Sequence, residues 1–183
     1  MALARQGGLA EDAIEAIRIG GLLHDIGKIG IPEAILNKLG RLTAEEQAIM
    51  RAHPAIEARI LTPIAALDAV VPLVRYHHER WDGQGYPEHL AGEAIPIGAR
   101  IIAICDAYDT TAYDRPYRRG LGHDGAIRQL TAGAGTQFDP ELVAAFVTLP
   151  IAQLRISTLN GSHRRDEPRE SLARHQARSI HVR

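Results

Sequence analysis

Apolar residues recur at helical spacing along this chain, and no segment alternates apolar and polar residues with the period of two that a half-buried β-strand requires. Ile97, Ile101 and Ile104, for example, fall on one face of a predicted helix. Aromatic residues make up only 4% of the chain, so a core must be built from small aliphatic side chains. Helices pack such side chains closely, and the sequence therefore predicts an all-α fold.

Local signals mark where several of these helices begin. Thr43 is followed three residues later by Glu46, which is the pattern of a capping box. Pro54 is expected to open a further helix after a break at His53, because the residue before a proline is pushed out of the helical region. Asp139 precedes Pro140 as the predicted N-cap of the last helix.

The charge distribution divides the chain into a folded domain at 1–150 and an Arg-rich tail at 151–183, which we expect to be flexible and disordered. The first part carries 14 Lys and Arg against 19 Asp and Glu, whereas the tail carries 7 Arg against 3 acids. An acidic domain is not expected to bind a nucleic acid polymer. No apolar run approaches the roughly 20 residues that span a bilayer, so no membrane association is expected. The single cysteine, Cys105, is compatible with a reducing cytoplasm.

Nine histidines are present, and several of them stand beside carboxylates at predicted helix ends. Imidazole and carboxylate ligands without thiolates suit metals such as Fe, Mn, Zn or Ni. Asp25 could bridge two ions, and Lys28 could stabilise phosphoryl charge. Antiparallel packing of the helices would gather these groups in one bundle. The clusters are His24-Asp25 with Lys28, His53, His77-His78-Glu79, and Asp106 with Asp109.

Four motifs occur together in one order. They read LLHDIGKIGIPEAILNK, HHERWDGQGYP, CDAYDTTAYDRPYRR and AGAGTQFDPELVAAF. In this order and spacing they resemble the HD-GYP family of cyclic di-GMP phosphodiesterases, and the resemblance covers about residues 9–147. It implies a helical bundle of the HD phosphohydrolase type. It also implies a metal-dependent enzyme that opens cyclic di-GMP to pGpG or onward to GMP. Such an enzyme acts in bacterial second-messenger signalling and is associated with two-component systems.

By position, the resemblance implies two divalent ions, with iron or manganese expected, and two residues in catalysis, Asp25 and Lys28. The implied metal ligands are His24, Asp25, His53, His77, His78 and Asp106. The implied substrate contacts are Lys28, Tyr86, Asp109, Arg115 and Arg118. GGDEF-type diguanylate cyclases are a further implied partner, through the Gly-Tyr-Pro loop at 85–87.

Three of the substrate contacts have alternatives. Tyr86 could instead anchor its loop. Arg115 could instead form an ion pair with Asp109 or Asp114. Asp109 could contact guanine edges or support Asp106.

The chain departs from the family pattern in two places. The resemblance implies an additional histidine on a helix upstream of His24, but none of the 23 preceding residues is histidine. We therefore expect an N-terminally truncated chain that has lost an upstream receiver or sensor domain and binds at least one metal more weakly. The second departure is Glu57, where the family usually has glycine. We expect Glu57 to be exposed, with metal coordination as the alternative.

Two other functions remain open. A catalytically impaired remnant could serve as a nucleotide-binding or protein-interaction module. A phosphohydrolase of ordinary nucleotides would use the same metals, but the GYP and DRPYR blocks exceed the general His-Asp signature and disfavour it.

Overall fold

The computed structural model describes residues 1–114 and 119–150, and within these ranges the secondary structure is helical. The only β-type pairing in the described part is an isolated bridge between Ala134 and Phe138. The predicted all-α fold is therefore confirmed. The tail at 151–183 lies outside the described residues.

Nine α-helices and three short 3-10 helices make up the described ranges. The 3-10 helices are Ile26–Gly30, Ala65–Leu67 and Gly92–Ala94. The α-helices are α1 (Ala2–Gln6), α2 (Glu11–Leu23), α3 (Glu33–Leu36), α4 (Ala44–Met50), α5 (His53–Leu61), α6 (Val71–Arg75), α7 (Ile97–Ala112), α8 (Gly122–Ala132) and α9 (Pro140–Val147).

Helix α7 is the centre of the bundle and contacts α1, α2, α6, α8 and α9. Its core face carries Ile101 and Ile104, which are almost completely buried. Tyr108, one turn further on, packs its ring 5.2 Å from that of Phe146 on α9. Aliphatic side chains from α1, α2, α5, α6, α8 and α9 fill most of the remaining core, as the scarcity of aromatic residues predicts.

The helix-start signals act as the sequence predicts. The Thr43 hydroxyl accepts a hydrogen bond from the Glu46 backbone N–H at 3.3 Å, and the Glu46 carboxylate accepts one from the Thr43 backbone N–H at 2.7 Å. Helix α5 begins at His53, one residue before the predicted start, with Pro54 in its first turn; the predicted break falls at Arg51 and Ala52 instead. The Asp139 carboxylate accepts hydrogen bonds from two backbone N–H groups of α9. Local chemistry thus fixes where these helices begin.

Gly27 allows the 3-10 helix after α2 to lie directly on α5. A Cβ atom at this position would come within 2.1 Å of the His53 carbonyl oxygen and 2.9 Å of the Glu57 backbone nitrogen. No side chain fits into that space, so glycine is required for the close approach. The contact sets the turn that carries Asp25 against the helix that begins with His53.

Within 1–114 and 119–150, no helix has the length and apolarity needed to cross a bilayer.

Candidate metal centre

The fold brings together six side chains that come from four separate segments of the chain. His24 Nε2 lies 3.7 Å from Asp25 Oδ2 and 3.6 Å from Asp106 Oδ1. His53 Nε2 lies 3.9 Å from Asp25 Oδ1 and 3.2 Å from His78 Nε2. The ring centroids of His77 and His78 are 4.0 Å apart. All six predicted ligands therefore share one small volume.

Three of the four histidines are oriented by the backbone of the preceding turn. In each, Nδ1 lies within hydrogen-bonding distance of the carbonyl oxygen three residues earlier. A carbonyl can only accept, so Nδ1 carries a proton, and Nε2 then offers a lone pair to a ligand whenever the ring is neutral. The pairs are His24 with Gly21 O at 2.8 Å, His53 with Met50 O at 2.8 Å, and His77 with Val74 O at 2.6 Å.

A divalent ion fits the three-imidazole side of this cluster. One nitrogen each from His53, His77 and His78 lies within 4.8 Å of the others. His77 is 2% exposed, and its Nε2 has no hydrogen-bond partner among the described residues. A buried polar atom without a partner costs about 1–3 kcal/mol, and coordination to a cation would remove that cost. The donor chemistry of this cluster agrees with a metal site.

Asp25 lies between the histidines and Lys28. Its Oδ1 is 2.7 Å from Lys28 Nζ. Burial raises the pKa of Asp25, but the Lys28 hydrogen bond and the neighbouring positive charges outweigh it and hold the pKa below the usual range. The carboxylate is therefore ionised at neutral pH. Its two oxygens face different histidines, which is the arrangement that a bridging ligand requires.

The two halves of the cluster differ in proton affinity. Burial lowers the pKa of His77 to about 4 and that of His78 to about 2. At His24, burial also lowers the pKa, but contact with Asp106 and the charge of Asp25 outweigh it and raise the pKa to about 9. At neutral pH the buried pair is thus neutral and ready to donate lone pairs, whereas the His24 ring is doubly protonated and must lose the proton on Nε2 before that atom can bind a metal.

Glu57 is buried, and the expectation that it is exposed is wrong. Its relative accessibility is 0%, and its Oε1 accepts a hydrogen bond from the Ile26 backbone N–H at 3.2 Å. Its other oxygen, Oε2, is buried with no partner among the described residues. Burial raises the pKa of Glu57 to about 8. The glutamate lies under the turn that carries Asp25, because Gly27 lets that turn approach α5 so closely.

Tyr86 of the Gly-Tyr-Pro tripeptide lies against the metal centre. Its ring stacks on that of His78, with centroids 4.9 Å apart and planes inclined by 25°. Burial raises the pKa of Tyr86 to about 12, so the phenol keeps its proton. The loop is held by Glu79, whose Oε1 accepts a hydrogen bond from the Glu88 backbone N–H at 2.7 Å. The position is thus compatible with both alternatives, loop anchor and ligand contact.

Of the remaining predicted substrate contacts, two lie among the described residues and two do not. Lys28 is partly exposed beside Asp25. Asp109 lies one turn after Asp106 on α7 and is half-buried. Arg115 and Arg118 lie outside the described residues, so their roles remain predictions.

A cavity of about 190 Å³ adjoins the buried histidines. It runs from His77, His78 and Asp106 to Gln137, and Thr110 also lines it. Buried histidines thus form one side of the site, while Asp25 and Lys28 leave the other side open to solvent. The motifs do not identify two residues beside the site: Gln137, which lines this cavity, and Arg51, which lies over the ring of Tyr86. The position of Arg51 two residues before His53 is the sequence feature that could have indicated it.

The profile of a family described as "HD domain" matches residues 1–142. The chain is 45% identical over 148 residues to "Cyclic di-GMP phosphodiesterase PA4108" of Pseudomonas aeruginosa, covering 80% of this chain and 36% of that protein. It is 41% identical over 149 residues to "Cyclic di-GMP phosphodiesterase response regulator RpfG" of Xanthomonas campestris, covering 79% and 39%. It is also 39% identical over 143 residues to "3'3'-cGAMP-specific phosphodiesterase 2" of Vibrio cholerae, covering 77% and 27%. The chain thus spans less than half the length of these relatives.

Two solved structures share the fold. A cyclic GMP-AMP specific phosphodiesterase of Vibrio cholerae, V-cGAP3, superimposes with a TM-score of 0.65 at 21% identity, covering 85% of this chain and 44% of that one. Bd1817, an HD-GYP-type protein of Bdellovibrio bacteriovorus, superimposes with a TM-score of 0.63 at 21% identity, covering 79% and 46%. At this identity the likeness concerns the fold alone.

Proposed function

The chain belongs to the HD domain family and is of its HD-GYP type, and on that premise we propose that it is a metal-dependent phosphodiesterase that hydrolyses cyclic di-GMP. The observation that carries the proposal is the convergence of four histidines and two aspartates, with His77 Nε2 buried and lacking a hydrogen-bond partner within 1–114 and 119–150. The printed names of relatives at 41–45% identity support the substrate.

We propose that two divalent ions are held by the six side chains. His53, His77 and His78 would hold one ion, His24 and Asp106 the other, and Asp25 would bridge them. Iron and manganese suit this set of nitrogen and oxygen donors, which contains no thiolate. When bound, such ions supply Lewis-acid charge and lower the pKa of water to near neutrality.

The protein's own residues would bind and polarise the phosphodiester. Lys28 Nζ lies 2.7 Å from Asp25, the proposed bridging carboxylate, so its ammonium group can stabilise charge that develops on the phosphoryl oxygens. The phenol of Tyr86, whose ring stacks on His78, keeps its proton and can donate a hydrogen bond to a bound ligand. Hydrolysis forms a bond from a water oxygen to phosphorus and breaks the bond from phosphorus to the 3′ oxygen. In the net reaction one proton of the water is transferred to the departing 3′ oxygen, which leaves as a hydroxyl group. The first product is the linear dinucleotide pGpG, and a second hydrolysis gives GMP.

Turnover of the purified chain tests this proposal. Metal-stripped protein is loaded anaerobically with Fe²⁺ or Mn²⁺ and incubated with cyclic di-GMP, and the nucleotides are separated by chromatography. We expect pGpG or GMP from the wild type and none from His77→Ala, which should also lose bound metal. His123→Ala, a half-buried histidine outside the site, should retain both. If no linear product forms with any divalent metal, the proposed phosphodiesterase activity is refuted. Binding of cyclic di-GMP, measured by calorimetry, without turnover would support the binding-module alternative.

A second substrate is supported by relatives named as 3'3'-cGAMP-specific phosphodiesterases, at 36–40% identity. The same assay with both cyclic dinucleotides decides between them through the ratio of their kcat/KM values. We expect cyclic di-GMP to be the better substrate. Docking of GGDEF-type cyclases on the Gly-Tyr-Pro loop remains part of the proposal, and a pull-down with purified cyclase tests it.

A further inference from the structure

Arg51 is a cation at the edge of the metal centre that none of the motifs marks. Its guanidinium carbon lies 5.4 Å from the centroid of the Tyr86 ring. The Tyr86 ring in turn stacks on His78. One aromatic ring therefore separates this arginine from a proposed metal ligand.

The backbone of Arg51 is fixed while its side chain is exposed. Arg51 is the C-cap that follows α4, and its backbone N–H donates to the Gln47 carbonyl at 2.9 Å. The preceding residue, Met50, supplies the carbonyl that orients His53. The arginine is thus attached to the segment that positions a ligand, yet its side chain stays accessible to solvent.

Arg51 also differs from many other arginines in its charge environment. Arg5, Arg18, Arg75, Arg80 and Arg100 each form an ion pair with a carboxylate. For Arg51, no carboxylate of residues 1–114 and 119–150 lies within 4.0 Å of its side-chain nitrogens. Its hydrogen-bond donors therefore remain available for an anionic ligand.

Cyclic di-GMP carries two phosphodiesters on one ring. In the proposed reaction one of them is attacked at the metal centre, next to Lys28. A cation at the edge of the site would stabilise the charge of the other, and a guanidinium fork matches phosphate geometry. We infer that Arg51 binds the phosphodiester that is not cleaved, and so contributes to selecting cyclic dinucleotides. This inference rests on the proposed function.

Kinetics with two substrates tests Arg51 separately from the metal chemistry. Bis(p-nitrophenyl) phosphate has a single phosphodiester, so it can use the metal centre but has no second phosphate. For Arg51→Ala we expect KM for cyclic di-GMP to rise about tenfold, the effect of losing one charge-assisted hydrogen bond at an accessible site. The value of kcat should stay within about twofold, because the reacting phosphate keeps its contacts. Hydrolysis of bis(p-nitrophenyl) phosphate should not change.

Two further variants are the controls. Arg59→Ala removes an exposed arginine from the same region, on α5, and should leave KM unchanged. Arg51→Lys retains the charge but not the fork, and should restore part of the affinity. Circular dichroism and thermal denaturation show whether each variant folds as the wild type does.

The remaining outcomes overturn the inference. An equal loss on both substrates would mean that Arg51 acts through Tyr86 and His78 rather than on the ligand. An unchanged KM would mean that Arg51 does not contact the substrate. If the wild type cleaves only bis(p-nitrophenyl) phosphate, the proposed function fails. Calorimetric titration of cyclic di-GMP into the Arg51→Ala and Arg59→Ala proteins then tests, independently of turnover, whether Arg51 binds the dinucleotide. Equal affinities, or no binding to either, would overturn its role.

Discussion

Replacing Glu57 with glutamine should stabilise the metal-free protein at neutral pH. The glutamate is completely buried, and burial raises its pKa from 4.5 to about 8. Glutamine keeps an oxygen that can accept the Ile26 N–H and has nearly the same shape, but it cannot ionise. The substitution therefore removes the electrostatic cost of Glu57 and little else.

The size of the effect depends on pH. Because the pKa of Glu57 is raised in the folded state, its favourable contribution to folding is fully present below about pH 4.5 and is lost as pH rises through 8. A tenfold change in proton affinity corresponds to about 1.4 kcal/mol. The full difference between 4.5 and about 8 sets an upper limit of about 5 kcal/mol. Local water penetration and relaxation reduce this limit, and we expect about 2–3 kcal/mol between pH 5 and pH 7.5.

Urea denaturation of EDTA-treated protein, followed by circular dichroism, measures this difference. The free energy of unfolding of Glu57→Gln should exceed that of the wild type by about 2–3 kcal/mol at pH 7.5, and the gap should nearly close at pH 5. Glu93→Gln, at an exposed position, should show no such pH dependence. A gap that does not change with pH would refute the burial argument. Manganese titration of the same proteins tests the alternative that Glu57 coordinates metal, which predicts weaker binding by the glutamine variant.

Three further predictions concern the proton on His24, the close contact at Gly27 and the capping box at Thr43. Since the pKa of His24 is raised to about 9, metal binding must displace a proton from its ring. The affinity for Mn²⁺, measured by calorimetry, should therefore increase from pH 6.5 to pH 9. An affinity that does not change over this range would contradict the role of His24 as a metal ligand. Gly27→Ala should lower the free energy of unfolding by about 1–3 kcal/mol or more, because its Cβ would overlap the His53 carbonyl oxygen. Gly21→Ala, which meets nothing within 4 Å, should instead stabilise the helix by about 0.5–1 kcal/mol in the same denaturation experiment. Thr43→Ala should lower the free energy of unfolding by about 1 kcal/mol, because the capping box is lost, and should leave kcat unchanged. An unchanged midpoint of thermal denaturation would contradict this expectation.

The sequence by itself determined the helical class, several helix starts and the set of side chains that meet. Thr43 and Asp139 act as caps through groups within three residues of themselves. Such signals are local, and they operate before any tertiary contact forms. The six proposed ligands were identified by the resemblance of whole motifs, which already summarises the packing of a family.

Only the tertiary structure decided how the surroundings of those ligands are arranged. Glu57 looks like a surface residue one turn after His53, but the turn around Gly27 covers it. Arg51 reaches the site through Tyr86, a residue 35 positions away in the chain. Burial and the pairing of charges depend on which distant segments pack together, and periodicity along one segment carries no information about its partner. For that reason the convergence of the six proposed ligands could be predicted from the sequence, whereas their protonation and their neighbouring charges could not.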